Sequence, residues 1–289
     1  MIAISLFAGS ARSIHAGAVK AQKTVHPCTD TGSVAMAGSA CRRARQGRQR
    51  VVHSITPGSQ PVNQLLTQLS DGDRDSLLSG AHQARLPAGH TILCAGDSML
   101  SAYFPDTGVL SLVSEMATGH QVAVDIVGAD GMIGFDALFH TTHPGYRVVV
   151  LAETDGYWIA ADRLRRLCAD SDDFRSILLT HIGGRMSEVM ITAACNRVHS
   201  HRQRLARWLL IATDKAGRRS LDVTHETLAQ LVGGPRHAVT VALNELRAKG
   251  AIAYLRGRLE IVQRSILVDQ ACECYQHGRR ARHHSERHH

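Results

Sequence analysis

The sequence predicts an α+β chain: a roll or sandwich of short antiparallel strands, then one long helix, then a small helical unit closed by a hairpin. Three observations carry this. From about Pro61 to Ile159, short apolar and β-branched runs alternate with turn signals at intervals of roughly 7–15 residues, the spacing of an all-β unit. Beyond Ala161 the apolar period lengthens to that of helices. The charge changes sign close to the same place. Residues 61–174 carry fifteen acidic and six basic side chains, whereas residues 175–264 carry fifteen basic and six acidic.

A chain of 289 residues has room for roughly two domains of ~100–200 residues each. Its 44% hydrophobic and 20% charged content excludes a fibrous or wholly disordered protein. No run approaches about 18 consecutive apolar residues, so no transmembrane helix and no membrane partner are expected. Aromatics at 4% argue against base recognition on stacked rings. The net charge of +8 hides an acidic middle and a basic later segment, and the basic segment suits a polyanion. Seven scattered cysteines form a poor disulfide framework and suit a reducing cytoplasm. Residues 1–60 hold eight Lys/Arg and a single acid, Asp30, and are expected to be a disordered leader or an over-extended start.

Val62–Leu69 and Asp73–Gly80 read as short helices, the second capped by Asp71 or Asp73. Strands are expected at Thr91–Cys94, Val109–Met116, Gln121–Val127, Arg147–Ala152 and Tyr157–Ile159. Ala161–Ala169 reads as a helix, and Asp172 or Asp173 starts a long one towards Ser200. In it Leu178, Ile182, Met186, Val189 and Ala193 recur at steps of four and three, a stripe that suits a two-helix seam or a core-facing side. Gly183-Gly184 interrupts the run at ~1 kcal/mol per glycine. Another helix is expected over Gln203–Thr213.

The most informative stretch is Leu221–Val262. Thr224 caps a short helix, His225–Val232; Gly233-Gly234-Pro235 turns; a second helix, Pro235–Lys249, follows and Gly250 stops it. Ile252–Leu255 and Arg258–Val262 then form a ribbon turning at Arg256-Gly257. Helix, turn, helix and a hairpin with arginines at its tip is a winged helix-turn-helix. Its second helix suits the DNA major groove. Arg236, His237, Thr240 and Asn244 face the bases in this reading, and Val241 meets a thymine methyl. Thr224, Arg202, Arg218, Arg219, Arg256 and Arg258 are the expected phosphate contacts.

From about Asn63 to Tyr275 the chain resembles the Crp/Fnr superfamily of bacterial transcription regulators. The resemblance rests on Gly128-x-x-Gly131-x-x-Gly134, on "AACNRVHSHRQRLARWLL" at 193–210, on the recognition-helix segment Ala238–Leu243 and on "ACECY" at 271–275. It implies a cyclic-nucleotide-binding-like β-roll (a double-stranded jelly roll) over 61–171, a dimerisation helix over 172–201 and a DNA-binding domain over 202–277, before a basic, His-rich tail at 278–289. It also implies the dimer role for the Leu178–Ala193 stripe, an inverted-repeat site, double-stranded DNA and RNA polymerase as partners, and no catalytic activity.

Nucleotide-responsive relatives place an acid after the last glycine and an Arg-Ser pair on the phosphate. Here Gly134 is followed by Phe135, with Asp136 one place late, and Arg147 is followed by Val148. Gly134, Phe135, Asp136 and Arg147 remain the candidate effector pocket, but cyclic AMP is not expected and no cofactor is assigned. Cys28 and Cys41 are too few for an iron–sulfur leader. Cys195 and His199, with His201 nearby, form one three-ligand set; Cys272, Cys274 and His277 form another. Each lacks a fourth ligand, so no metal is assigned. No nucleophile–base pair or phosphate loop points to an enzyme. The expected function is a cytoplasmic, homodimeric, sequence-specific transcription regulator with an unknown effector. The rival is a ligand sensor that acts through protein contacts without DNA.

Overall fold

The computed structural model describes residues 61–139 and 143–278. The leader and the His-rich tail from residue 279 onward lie outside the described residues.

Helices α1 (Gln64–Thr67) and α2 (Asp71–Leu78) precede the strands. Asn63 caps the first. Its side-chain amide also donates to the Pro105 and Gly131 carbonyls, each at 2.8 Å, and ties the helix to the roll. Ser70 caps the second in place of the expected aspartates. Asp71 and Asp73 stand inside the first turn, where the helix dipole favours them.

Strands β1 (His82–Leu86), β2 (Thr91–Leu93), β3 (Ser101–Pro105), β4 (Val109–Glu115), β5 (Gln121–Val127), β6 (Tyr146–Ala152) and β7 (Thr154–Ala160) form two antiparallel sheets, ordered β1-β7-β3 and β2-β6-β4-β5. Because side chains alternate across a strand, each sheet has an inner and an outer face. Leu110, Leu112, Val148 and Val150 meet Leu86, Leu93 and Tyr103 inside the roll. Outside the three-stranded sheet, Phe104 and Ile159 pack on Leu66, Leu77, Leu164, Phe174 and Leu178. A 3-10 helix, Phe135–Phe139, lies between β5 and β6, and α3 (Ala161–Asp170) and α4 (Asp172–Val198) follow β7.

The remaining elements are α5 (His201–Ala216), β8 (Ser220–Asp222), α6 (His225–Val232), α7 (Arg236–Ala248), β9 (Ile252–Leu255), β10 (Arg258–Ile261) and α8 (Arg264–Gln270). The expected two-strand ribbon is a three-stranded sheet, β8-β10-β9, because Ser220–Asp222 pairs with Arg258–Glu260. The outer face of the four-stranded sheet shares one core with this unit. Val109, Ala123, Ile126 and Leu151 are buried with Leu205, Leu209, Leu228 and Val239.

Helix α4 runs unbroken through Gly183-Gly184. Its closed face consists of Phe174, Leu178, Arg185, Glu188, Thr192 and Cys195. This corrects the expected seam. Leu178 is buried in its own chain's core, Ile182 packs partly against that core, and Val189 is half-buried. Met186 and Ala193 lie on the open face beside Leu179, Gly183 and Met190. Leu179, Met186 and Met190 are 57%, 57% and 62% exposed. A period of four and three runs equally well through either face, so periodicity alone does not set the phase.

Arg185 enters the interior from α4. It pairs with Asp125 of β5, its Nη1 lies 3.0 Å from Glu188 Oε2 and 3.9 Å from Asp130, and its Nη2 donates to the Ile126 carbonyl at 2.8 Å. Lys215 of α5 pairs with Asp130 from the other side. Burial pushes the Asp130 carboxyl up, but Lys215 and Arg185 outweigh it and hold it well below the usual carboxylate range. The neighbouring His181 is pushed down to about 3 by burial and then by the Arg185 charge.

Arg185→Met strands Asp125 and Glu188 without their cation, and we expect a loss of ~3–5 kcal/mol in urea unfolding. His181 gives a pH dependence of definite sign. Its folded pKa of about 3 lies below the ordinary 6.5, so on acidification the unfolded chain takes the proton first. Stability therefore falls as pH drops below about 6.5, by about 2 kcal/mol between pH 7 and pH 5. The slope of urea midpoint against pH should flatten in His181→Gln; an unchanged slope would refute the assignment.

Candidate nucleic-acid interface

The interface is built on α6, α7 and the β9–β10 hairpin. Thr224 caps α6, its Oγ1 accepting from the Thr227 amide at 3.1 Å. Gly233 ends that helix at φ 63, in the left-handed region, and its amide reaches back to the Ala229 carbonyl at 2.9 Å. A Cβ at Gly233 would stand 2.6 Å from Val122 Cγ2 of β5, so the turn between the two helices rests directly on the roll. Pro235, expected as the first helical residue, stands instead at the N-cap of α7 with extended backbone, and the helix begins at Arg236. Val239, Ala242, Leu243 and Leu246 close the inner face.

The five expected base-reading residues, Arg236, His237, Thr240, Val241 and Asn244, are all exposed on the other face of α7. Val241 is 55% exposed, a β-branched apolar side chain left in water next to polar neighbours. Arg236 lies 2.8 Å from Glu226 of α6, but both are well exposed, so the pair orients the guanidinium without committing it. Thr240 Oγ1 donates to the Arg236 carbonyl at 3.0 Å.

Arg256 and Gly257 form the tip of the wing with φ of 51 and 83, the two left-handed residues of a type I′ hairpin turn. Arg256, Arg258, Arg218 and Arg219 are exposed. Arg258 also reaches Ser220 Oγ at 3.3 Å. Tyr254 of β9 fastens the wing to the start of α6: its hydroxyl donates to the Val223 carbonyl at 3.0 Å and its ring lies 5.1 Å from that of His225. Neither Tyr254 nor β8 was expected in this role. Arg202 differs from the other proposed phosphate contacts. It is half-buried, 2.9 Å from Gln270 Oε1 and 3.5 Å from Glu245 Oε2, and so is committed within the domain.

The residues proposed for the effector pocket do not converge. Phe135 packs into the core under the helices. Asp136 accepts from the Tyr146 hydroxyl. Arg147 points out of the roll, on the side of β6 that carries Leu151, and its Nη2 donates to Gln121 Oε1 at 2.7 Å. Its Nε finds no partner among the described residues. Gln121 had no signal in the sequence; only the sheet, in which Arg147 of β6 reaches across β4 to the start of β5, finds it.

The two sets of sulfur and imidazole ligands, separate in sequence, meet in space. Cys195, His199, Cys272 and Cys274 have ligand atoms all within 4.8 Å of one another. His201 and His277 are not part of the group. His201 instead abuts Gly234, where a Cβ would lie 2.4 Å from its ring.

A β-roll joined by a long helix to a winged helix-turn-helix with an open polar face defines a two-domain helix-turn-helix class of protein. Residues 83–171 match the family model of the cyclic nucleotide-binding domain, and residues 203–269 match that of the Crp-like helix-turn-helix domain. Together these matches take up more than half of the chain, and the chain belongs to the Crp/Fnr superfamily of transcription regulators. The CRP-like cAMP-activated global transcriptional regulator of Mycobacterium tuberculosis is 25% identical over 186 residues, covering 62% of this chain and 83% of the relative. Among solved structures, the c-di-GMP-responsive global regulator CLP of Xanthomonas campestris aligns with a TM-score of 0.57 at 18% identity, over 67% of this chain and 100% of that one. A CRP-family transcriptional regulator from Thermus thermophilus aligns with a TM-score of 0.56 at 22% identity, over 65% and 95%. The likeness to these two structures concerns the fold.

Gly233→Ala tests the turn. A side chain in the left-handed region costs about 1–2 kcal/mol before any push on Val122, so the thermal midpoint should fall by several degrees. An unshifted midpoint would mean that the turn is free to move.

Proposed function

We propose that this chain is a sequence-specific DNA-binding transcription regulator that acts as a homodimer on an inverted-repeat site, without catalysis, and that its effector is not cyclic AMP. The observation that carries the reading is the exposed face of α7. Arg236, His237, Thr240, Val241 and Asn244 stand together in water on a helix whose other face is fully buried. Such a face fits the major groove, with the wing arginines over the flanking phosphates. The open seam of Leu179, Met186 and Met190 on α4 supports pairing with a second copy. Two-fold symmetry then calls for half-sites about one helical turn apart. The divergence of Asp136 and Arg147 onto Tyr146 and Gln121 supports an effector of other chemistry. RNA polymerase as a further partner and the cytoplasm as the compartment follow from this reading.

Selection of bound sequences from a random duplex pool by the full chain, without added ligand, should recover an inverted repeat. On that site Arg236→Ala should cost ~1–3 kcal/mol per half-site and relax one position of each, while Arg256→Ala should weaken all sequences alike and, with one wing in each subunit, reduce the salt slope by about 2. Met186→Glu should shift the chain to monomer in analytical ultracentrifugation. A folded, dimeric chain that binds no duplex DNA even at low salt would overturn the reading.

A further inference from the structure

The last turn of α4, the joint after it and the chain beyond α8 converge on a small cluster that the DNA-binding reading does not use. Cys195 is completely buried, and Cys272 and Cys274 are 4% and 7% exposed. Cys195 Sγ lies 3.5 Å from Cys272 Sγ, and Cys274 Sγ lies 3.7 Å from His199 Nδ1. A tetrahedral zinc ion with Zn–S of about 2.3 Å and Zn–N of about 2.0–2.1 Å sets sulfur atoms ~3.8 Å apart and sulfur and nitrogen ~3.6 Å apart. The two observed separations match these edges, and the remaining ones exceed them by no more than about an ångström.

Two further observations concern the surroundings. His199 turns its other nitrogen outward, with Nε2 3.2 Å from Glu273 Oε1. A ligating histidine characteristically donates its free N–H to a carboxylate, which fixes the tautomer that leaves Nδ1 open to the metal. Glu273 is the residue between the two cysteines of Cys272-x-Cys274. The second observation is charge. Arg204 and Arg207 are 7% and 3% exposed and act electrostatically on Cys195, Arg207 also on Cys274. Arg204 Nε and Arg207 Nε and Nη1 have no hydrogen-bond partner among the described residues. Buried guanidinium charges call for a nearby negative charge. Three thiolates and one imidazole around a divalent ion carry a net charge of −1 and supply it.

We propose that Cys195, His199, Cys272 and Cys274 bind one zinc ion in a closed, structural Cys₃His site. Four protein ligands leave no position for substrate, so the ion acts as a clasp. Binding displaces three thiol protons to solvent and involves no electron transfer. The ion fastens the C-terminal segment, which Tyr275 already ties to Asp214 of α5 at 2.7 Å, to the joint between the long helix and the DNA-binding domain. A cluster of iron and sulfide fits less well, because it carries its cysteines on separate irons and spreads them farther apart.

The test uses the full chain, untagged, purified under reducing conditions. Elemental analysis after dialysis against a mild chelator should find one zinc per chain. Replacement by cobalt(II) should give a near-ultraviolet thiolate-to-cobalt band that the histidines of the tail cannot produce, and Cys274→Ser should lower that band by about one third. Chelation with a strong competitor should lower the thermal midpoint of the wild type and leave a Cys195→Ser/Cys272→Ser variant unmoved. Reduced wild-type chain that holds no zinc and shows no thiolate band with cobalt would overturn the proposal. So would zinc retained undiminished in Cys272→Ser, which would assign the ion to the tail, or a Cys195–Cys272 disulfide as the resting state. The wild-type measurements stand even if a variant fails to fold.

Discussion

Arg185 is the point through which the three parts of the molecule are held in register. It belongs to the long helix, yet its partners are Asp125 on strand β5, Asp130 in the loop after it and Glu188 one turn further along its own helix. Lys215 brings a second cation to Asp130 from α5. Moving such groups out of water costs several kcal/mol per ion, and their attraction offsets that cost only where the geometry is closed. The network therefore tolerates one arrangement of roll, long helix and reader, and penalises a slip of the helix by even one turn. Its contribution is better described as specificity than as net stability.

The glycine spacing Gly128-x-x-Gly131 follows from that arrangement. A Cβ at Gly128 would lie 2.9 Å from Lys215 Cβ, and one at Gly131 would lie 2.9 Å from His181 Cε1. Each glycine admits one of the two helices that bring the buried cations. The motif is thus a condition for the charge network as well as a turn signal. From the same sheet, Val122 meets Gly233 in the turn before α7, and Arg147 feels the charge of Glu226, the partner of Arg236. The outer face of the roll reaches the reading helix through packing and through charge.

What could be read from the sequence divides along physical lines. Gln121–Val127 and His225–Val232 are found with correct bounds because each is announced locally, by alternation or by a cap and a terminal glycine. Strands β1 and β3 escape. His82–Leu86 presents polar residues on its outer face, and Ser101–Pro105 is buried on both faces and ends on a proline. The exposed face of α7 was legible, since its periodicity is bounded by Pro235 and Gly250. The phase of α4 was not, because apolar residues occur on both of its faces. The Cys/His cluster was legible only as two incomplete halves. Seventy-seven residues separate Cys195 from Cys272, and only the fold closes that gap.

The open face of α4 has a composition that its own chain does not explain. Gly183 lies in the helix interior at a cost of ~1 kcal/mol relative to alanine, and a side chain there would meet nothing within 4 Å. Within one chain, alanine would serve better. Where a second helix crosses, the missing Cβ lets the two backbones approach closely. Met186 and Met190 on the same face are unbranched and adapt to whatever they meet. The closed face is fixed by charge at Arg185 and by thiols and imidazole at its end, so α4 has little freedom to rotate within its own chain. In the proposed homodimer a second copy on the open face takes its orientation from the roll and the reader together.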